Sequence, residues 1–202
     1  MSQSTIEALP DFCFYSRSGL RIVLLPKSLR RIGARCFQNC GRLETADLSR
    51  CPNLTTIGAG AFGHCSLSDV SLPVKDLTEM GDSCFLGCGV ANLDLVNCRK
   101  LTALGSWTFS NCVSLVSIRL PPSLRRVGAG CFAYCTKLKS AAFGEVVEWG
   151  EDPFVGCRFE ELTFLGGHGS LLGGRVFPGC ARLWSMTVSL CGRRTWPLGG
   201  PL

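Results

Sequence analysis

Charge is scarce in this sequence. Asp, Glu, Lys and Arg make up only 18% of the 202 residues, against 46% hydrophobic. That balance excludes general disorder, which needs low hydropathy and high charge. Lys and Arg never run longer than two in a row, so the net charge of +6 describes a mildly basic surface and not a nucleic-acid stripe. Apolar residues are never gathered into the roughly 18–20 that a membrane helix needs. The opening MSQSTIEALPDF has neither a basic start nor an apolar stretch. It therefore does not read as a secretory signal, and the expected setting is the reducing cytoplasm. Only two His are present, which leaves little for metal or acid–base chemistry. A chain of this size buries roughly 70% of its unfolded surface and makes one domain, or two small ones.

What is abundant is repetition. Gly-x-x-x-Phe-x-x-Cys occurs seven times, at Gly33, Gly58, Gly81, Gly105, Gly128, Gly150 and Gly173. The matching aromatics are Phe37, Phe62, Phe85, Phe109, Phe132, Phe154 and Phe177, and the thiols Cys40, Cys65, Cys88, Cys112, Cys135, Cys157 and Cys180. Phe14 opens the series one unit earlier, and successive Phe residues are 23, 25, 23, 24, 23, 22 and 23 positions apart. A period in this range means units that bury their apolar side chains only against neighbouring copies.

A second signal lies between these, apolar-x-x-apolar-x-apolar. Examples are Leu20/Val23/Leu25, Leu43/Ala46/Leu48, Leu67/Val70/Leu72, Leu115/Ile118/Leu120 and Phe159/Leu162/Phe164. Its last two positions alternate with the period of a strand. Stacked in parallel, such strands make a sheet roughly 35–40 Å long. Pro26, Pro73 and Pro121 end three of them. A further apolar pair follows, as in Leu29/Ile32 and Leu124/Val127, and the Gly after it suits a tight bend or a close backbone approach.

The 14 cysteines invite a zinc reading through Cys36/Cys40, Cys84/Cys88 and Cys131/Cys135. That spacing falls outside the usual knuckle. The repeat explains them more simply, as a ladder of small buried hydrophobes, with a disulfide framework as the alternative where neighbouring ladder thiols come within bonding reach; no metal and no cofactor is expected. No nucleophile stands beside a base: His64 lies inside a Phe-x-x-Cys unit and His168 in a Gly-rich stretch, and no catalytic residue is assigned. The Gly-Ala-Gly pairs at 58–60 and 128–130 lack the Lys-Ser/Thr sequel of a phosphate loop. Arg30/Arg31 and Arg125/Arg126 occupy identical slots and read as a solvated charged wall.

The stretch LVSIRLPPSLRRVGAGCFAYC, Leu115 to Cys135, resembles the leucine-rich repeat of the BspA-like, or Treponema pallidum-type, class. Leu20 to Cys40 matches almost as well, and the resemblance covers about residues 6–190. Units at 47–51 (DLSRC) and 94–98 (DLVNC) depart from it, replacing the Pro turn. The resemblance implies an α/β-type repeat solenoid, a curved coil with one parallel β-sheet on the concave face and irregular or short helical segments opposite. It implies a single domain over 1–190 with about eight repeats, followed by a non-repeat tail at 191–202. Neither end shows a polar capping unit, so the expectation is either a longer array or ends that pack on something, a second copy included.

In such a fold the outward strand residues are free of core packing. They read Ile22/Leu24, Thr45/Asp47, Asp69/Ser71, Asn92/Asp94, Ser117/Arg119, Ser140/Ala142, Glu161/Thr163 and Ser185/Thr187. Asp47, Asp69 and Asp94 form an expected acidic strip, with Asn92, Arg119 and Glu161 beside it as binding candidates. Trp107, at a slot filled elsewhere by Arg35, Gly60, Ser83 and Gly130, is expected to be exposed, a candidate interface anchor. By analogy of fold, the function expected is a non-enzymatic scaffold that binds a protein partner, with no nucleic acid and no membrane span. The alternative that the resemblance implies is a surface antigen or adhesin for host or matrix protein, placed at the cell surface or secreted by an unconventional route.

Overall fold

A coil of 22–25 residues that must turn three corners cannot close many hydrogen bonds within itself, so its backbone bonds to the coils on either side. The computed structural model describes residues 5–68, 70–72, 75–144, 146, 148–165, 176–177 and 185–189. Among them the strands are β1 (Ala8–Leu9), β2 (Ile22–Val23), β3 (Arg31–Ile32), β4 (Thr45–Ala46), β5 (Thr56–Ile57), β6 (Glu79–Met80) and β7 (Asn92–Asp94). They continue as β8 (Ala103–Leu104), β9 (Ser117–Arg119), β10 (Arg126–Val127), β11 (Ser140–Phe143), β12 (Glu148–Trp149), β13 (Glu161–Leu165) and β14 (Ser185–Ser189). All pairings are parallel. One sheet has seven strands, β1-β3-β5-β6-β8-β10-β12. A second has five, β14-β13-β11-β9-β7, and a third is the pair β2-β4.

The chain is thus a parallel β-solenoid of leucine-rich-repeat type. The expected single sheet with helical segments opposite needs correction. The Leu-x-x-Ile-Gly segments form the seven-stranded ladder, and the one helix among the described residues is a 3-10 turn at Leu48–Arg50. The reason is where the donors go. Arg30 and Arg31 donate their N–H groups to the Glu7 carbonyl at 2.7 and 3.2 Å, and Gly33 donates to Leu9 at 2.9 Å. One coil later Thr55, Thr56 and Gly58 do the same to Arg30 and Ile32. Groups committed along the stack cannot close i→i−4 bonds within a coil.

The Gly-to-Cys turns build a third wall. The N–H groups of Arg35, Phe37 and Asn39 donate to the carbonyls of Ala59, Ala61 and Gly63 at 2.7, 2.7 and 2.9 Å, and the pattern recurs in later coils. Each turn holds two left-handed residues four positions apart, such as Arg35 (φ 53°) and Asn39 (φ 62°), or Trp107 (φ 58°) and Asn111 (φ 57°). At the corner before it the coils touch: a Cβ on Gly33 would lie 2.5 Å from the Asp11 nitrogen, and one on Gly81 2.7 Å from that of Ala59. Only glycine fits so close an approach.

Phenylalanine fills the centre. From Phe14 through Phe37, Phe62, Phe85, Phe109, Phe132 and Phe154 to Phe177, successive rings stack with centroids 5.2, 5.1, 5.3, 5.4, 5.6, 5.4 and 5.3 Å apart. No pair in the series is tilted by more than 9°. Phe37 to Phe154 are fully buried, while Phe14 keeps 37% of its surface. Ile32, Ile57, Met80, Leu104 and Val127 line one side of this column, and Leu93, Ile118, Ala141 and Leu162 the other.

A mid-stack truncation therefore opens a cavity that neither neighbour can fill. Phe85→Ala is expected to cost about 3–5 kcal/mol, and Phe14→Ala, whose ring stacks on Phe37 alone among the described residues and is 37% exposed, only about 1–2 kcal/mol. Chemical denaturation of the two variants beside the parent measures the difference, and equal losses would contradict the packing described.

Candidate functional site

The five-stranded ladder fixes its outward residues in register. Asn92, Ser117, Ser140, Glu161 and Ser185 form one column, and Asp94, Arg119, Ala142, Thr163 and Thr187 the next. Between them Leu93, Ile118, Ala141 and Leu162 point inward and are buried. The outward groups bond along the column. Ser117 Oγ donates to Asn92 Oδ1 at 3.0 Å, and Arg119 Nη1 lies 2.9 Å from Asp94 Oδ2. Glu161 is exposed between Ser140 and Ser185 and has no ion-pair partner among the described residues.

The expected acidic strip divides. Asp69 lies outside the described residues. The other two carboxylates hold their own turns, which is what Asp in DLSRC and DLVNC is suited to do. Asp47 Oδ1 accepts from Ser49 N at 3.2 Å and from Ser49 Oγ at 2.5 Å, capping the 3-10 turn. Asp94 Oδ1 accepts from Val96 N at 3.0 Å while its other oxygen takes Arg119. Two of the three carboxylates thus do structural work, and Asp94 also faces the Arg119 guanidinium.

Ile22 and Leu24 occupy the equivalent outward slots of the first coil and are 62% and 78% exposed. Sequence reasoning placed them outward without marking them as a site. The signal was there: two large aliphatics stand in slots that other units fill with polar or small residues. Trp107 is indeed exposed, at 44%, but it belongs to the turn wall and not to the strand face. Three of the four paired arginines are engaged: Arg30 lies 3.6 Å from Glu7 and Arg31 3.2 Å from Asp11, and Arg125 Nη1 donates to the Pro122 carbonyl at 2.8 Å.

The thiols line the inside of the turn wall. Cys40 Sγ donates to the Phe14 carbonyl one coil back at 3.1 Å. Cys65, Cys88, Cys112, Cys135 and Cys157 repeat this to Phe37, Phe62, Phe85, Phe109 and Phe132 at 3.1 to 3.3 Å. Each of these carbonyls from Phe37 on also accepts the N–H of its own coil's Cys, so both lone pairs are used. Among the described residues no three His, Cys, Asp or Glu could hold a metal ion together. His64 is exposed on the turn wall, and His168 lies outside the described residues. Burial pushes the thiols of Cys36, Cys65 and Cys112 up to about 12 from an ordinary 9.0, and that of Cys98 to about 11. Cys135 is raised first by its contact with the Cys157 thiol and then by burial.

Two outcomes follow from these thiols. Of the twelve described, only Cys13 is exposed, so brief iodoacetamide treatment of the folded protein, read by peptide mass spectrometry, is expected to modify Cys13 and spare the other eleven. The pH dependence has a definite sign. Above pH 9 the unfolded chain releases thiol protons that the folded chain retains, so stability is full below the unfolded value and falls as pH rises toward 11–12. Each such thiol contributes a slope of about 1.4 kcal/mol per pH unit. Urea midpoints in reductant, compared at pH 8 and pH 10, are expected to drop, and a flat profile would contradict the burial.

The model of the BspA type leucine rich repeat region matches residues 2–91 and 55–184, in six copies. Among solved structures, the chain is similar to the T. pallidum leucine-rich repeat protein TpLRR, with 26% identity over 91% of this chain and 74% of that one and a TM-score of 0.50. It is also similar to a leucine-rich repeat protein from Bacteroides ovatus, with 19% identity over 91% of this chain and 64% of that one and a TM-score of 0.43. A third is the pneumococcal vaccine antigen PcpA, with 16% identity over 92% and 60% and a TM-score of 0.44. No curated protein matches the sequence.

Proposed function

The chain belongs to the BspA-type leucine-rich-repeat family, and from that premise we propose that it is a non-enzymatic binding module whose protein partner lies across the strand face. Proteins of this repeat class generally mediate protein–protein interaction. The observation that carries the choice of face is the pair Ile22 and Leu24, 62% and 78% exposed. Large aliphatics left in water at and just after β2 supply the apolar centre that an interface needs. Asn92, Arg119 and Glu161 supply polar groups further along the same face, with Asp47 and Asp94 at its turns. Their register is set by the ladder, so little order is lost when a partner docks. No nucleic-acid site is proposed, because Arg30, Arg31 and Arg119 already face carboxylates.

The thiols support an intracellular scaffold over a surface adhesin. Six of them donate hydrogen bonds to carbonyls, which requires them to be reduced, as the cytoplasm keeps them. Among the described residues no helix is long and apolar enough to cross a membrane.

The test uses the parent, the double variant Ile22→Ser/Leu24→Ser, and Arg119→Glu/Glu161→Lys as baits in native extract. Thermal melts come first, to confirm that the variants fold. A protein retained by the parent and lost by both variants, and then shown to bind as a purified component, is the expected result. Equal retention by all three baits would remove the strand face as the site. Protease treatment of intact cells is expected to leave the protein whole, and its loss there would favour the adhesin.

A further inference from the structure

The turn wall carries a second surface, which packing of the core does not require. Its left-handed positions form two columns along the stack, and a large side chain in one coil lies over a glycine in the next. The Arg35 side chain covers Gly60, His64 covers Gly87, Trp107 covers Gly130 and Tyr134 covers Gly156. The Trp107 contact is the most intimate. A Cβ on Gly130 would sit 2.5 Å from Cε3, 2.5 Å from Cζ3 and 2.8 Å from Cδ2. Three contiguous ring atoms at nearly one distance mean that the six-membered ring lies flat on the glycine. Its other face is open, and Trp107 keeps 44% of its surface exposed. Tyr134, 49% exposed, lies over Gly156 one coil on, approaching it by one ring edge and its own backbone, with Cδ1 3.0 Å and Cα 3.3 Å from the Cβ position. Asn111 is exposed; it stands four residues after Trp107 in the same turn and one coil before Tyr134 in the same column. Val113 is 52% exposed beside it.

Charge is sparse on this part of the wall, with Glu151 and Asp152 in the turn beneath Tyr134 as its acidic edge. Residues 83–89, 106–114 and 128–136, the turns of three successive coils, contain no Asp, Glu, Lys or Arg. Nearby Asp82 is occupied, since its Oδ1 accepts the Ser106 N–H at 2.7 Å. We propose that Trp107 and Tyr134, with Asn111 between them, form a platform for a neutral carbohydrate. The C–H face of a pyranose ring stacks on an aromatic face, and its hydroxyls pair with amide and hydroxyl groups, needing no charge. The alternative ligand for exposed aromatics, a proline-rich peptide, docks in grooves lined by aromatic side chains. An indole laid flat on a wall offers a face and no slot. This surface is separate from the strand face and does not depend on the reading of it.

The probes are a panel of neutral oligosaccharides: cellotetraose, mannotetraose, maltotetraose and chitotriose. Binding is followed by saturation-transfer NMR and by tryptophan fluorescence. At least one is expected to bind saturably, with Trp107→Ala and Tyr134→Ala each weakening it about tenfold or more and Trp107→Phe weakening it less. Ile22→Ser/Leu24→Ser is expected to leave sugar binding unchanged, which separates this surface from the strand face. Absence of binding across the panel, binding indifferent to Trp107→Ala in a folded variant, or preference for a polyproline peptide would each overturn the proposal.

Discussion

The structure depends on the stacking of one phenylalanine per coil. A coil of this length has no interior of its own, and its few strand residues would not hold a sheet. The ring of each unit is covered on both faces by the rings before and after it, at 5.1–5.6 Å. That distance is close to the spacing of hydrogen-bonded parallel strands. The aromatic column and the backbone ladders therefore demand nearly the same rise, and neither is strained to suit the other. Three backbone ladders surround one apolar axis, and each coil derives its stability from its neighbours.

The cysteines follow from the same arrangement. At the end of each turn the Phe carbonyl faces inward and away from the main-chain ladder, with one lone pair taken by the Cys N–H of its own coil. The slot above it needs a small apolar group that can also donate weakly, and a thiol is that group. A hydroxyl would bring more polarity into a fully buried column, and a methyl would leave the second lone pair unmet. The high thiol content is thus a packing solution. Its chemical consequence is inertness, since burial holds these groups protonated far above neutral pH.

Much of this was legible before any coordinate. The Gly-x-x-x-Phe-x-x-Cys period located the ring column and the corners. The alternation in Leu115/Ile118/Leu120 placed Ser117 and Arg119 outward, opposite Asn92 and Asp94, where the ladder has them. The second sheet was not legible, because a Leu-x-x-Ile pair carries no period of its own; its strands exist only through bonds to other coils. Nor was the commitment of Asp47 and Asp94 to their turns, which depends on side-chain geometry. The seating of Trp107 left a trace that a unit-by-unit reading passes over. Arg35, His64, Trp107 and Tyr134 are each followed one period later by glycine, a pairing visible only when columns are read down the stack.

That pairing bears on how a solenoid acquires function. Residues pointing into the axis are constrained in every coil, so variation there is confined to size. Residues on the strand face are constrained only to keep the ladder, and can vary one by one. The turn wall lies between these cases. Its left-handed positions hold the backbone, yet their side chains project outward, and a large one needs room on the coil that follows. Glycine provides the room, and because it already tolerates positive φ, as at Gly130 (φ 63° at Gly60, 56° at Gly130), the exchange costs little at that position. A ring placed there is supported from below by backbone and enters an interaction already ordered, with little rotamer freedom left to lose. The wall least suited to carry a variable surface thus becomes one that can present rigid aromatic faces.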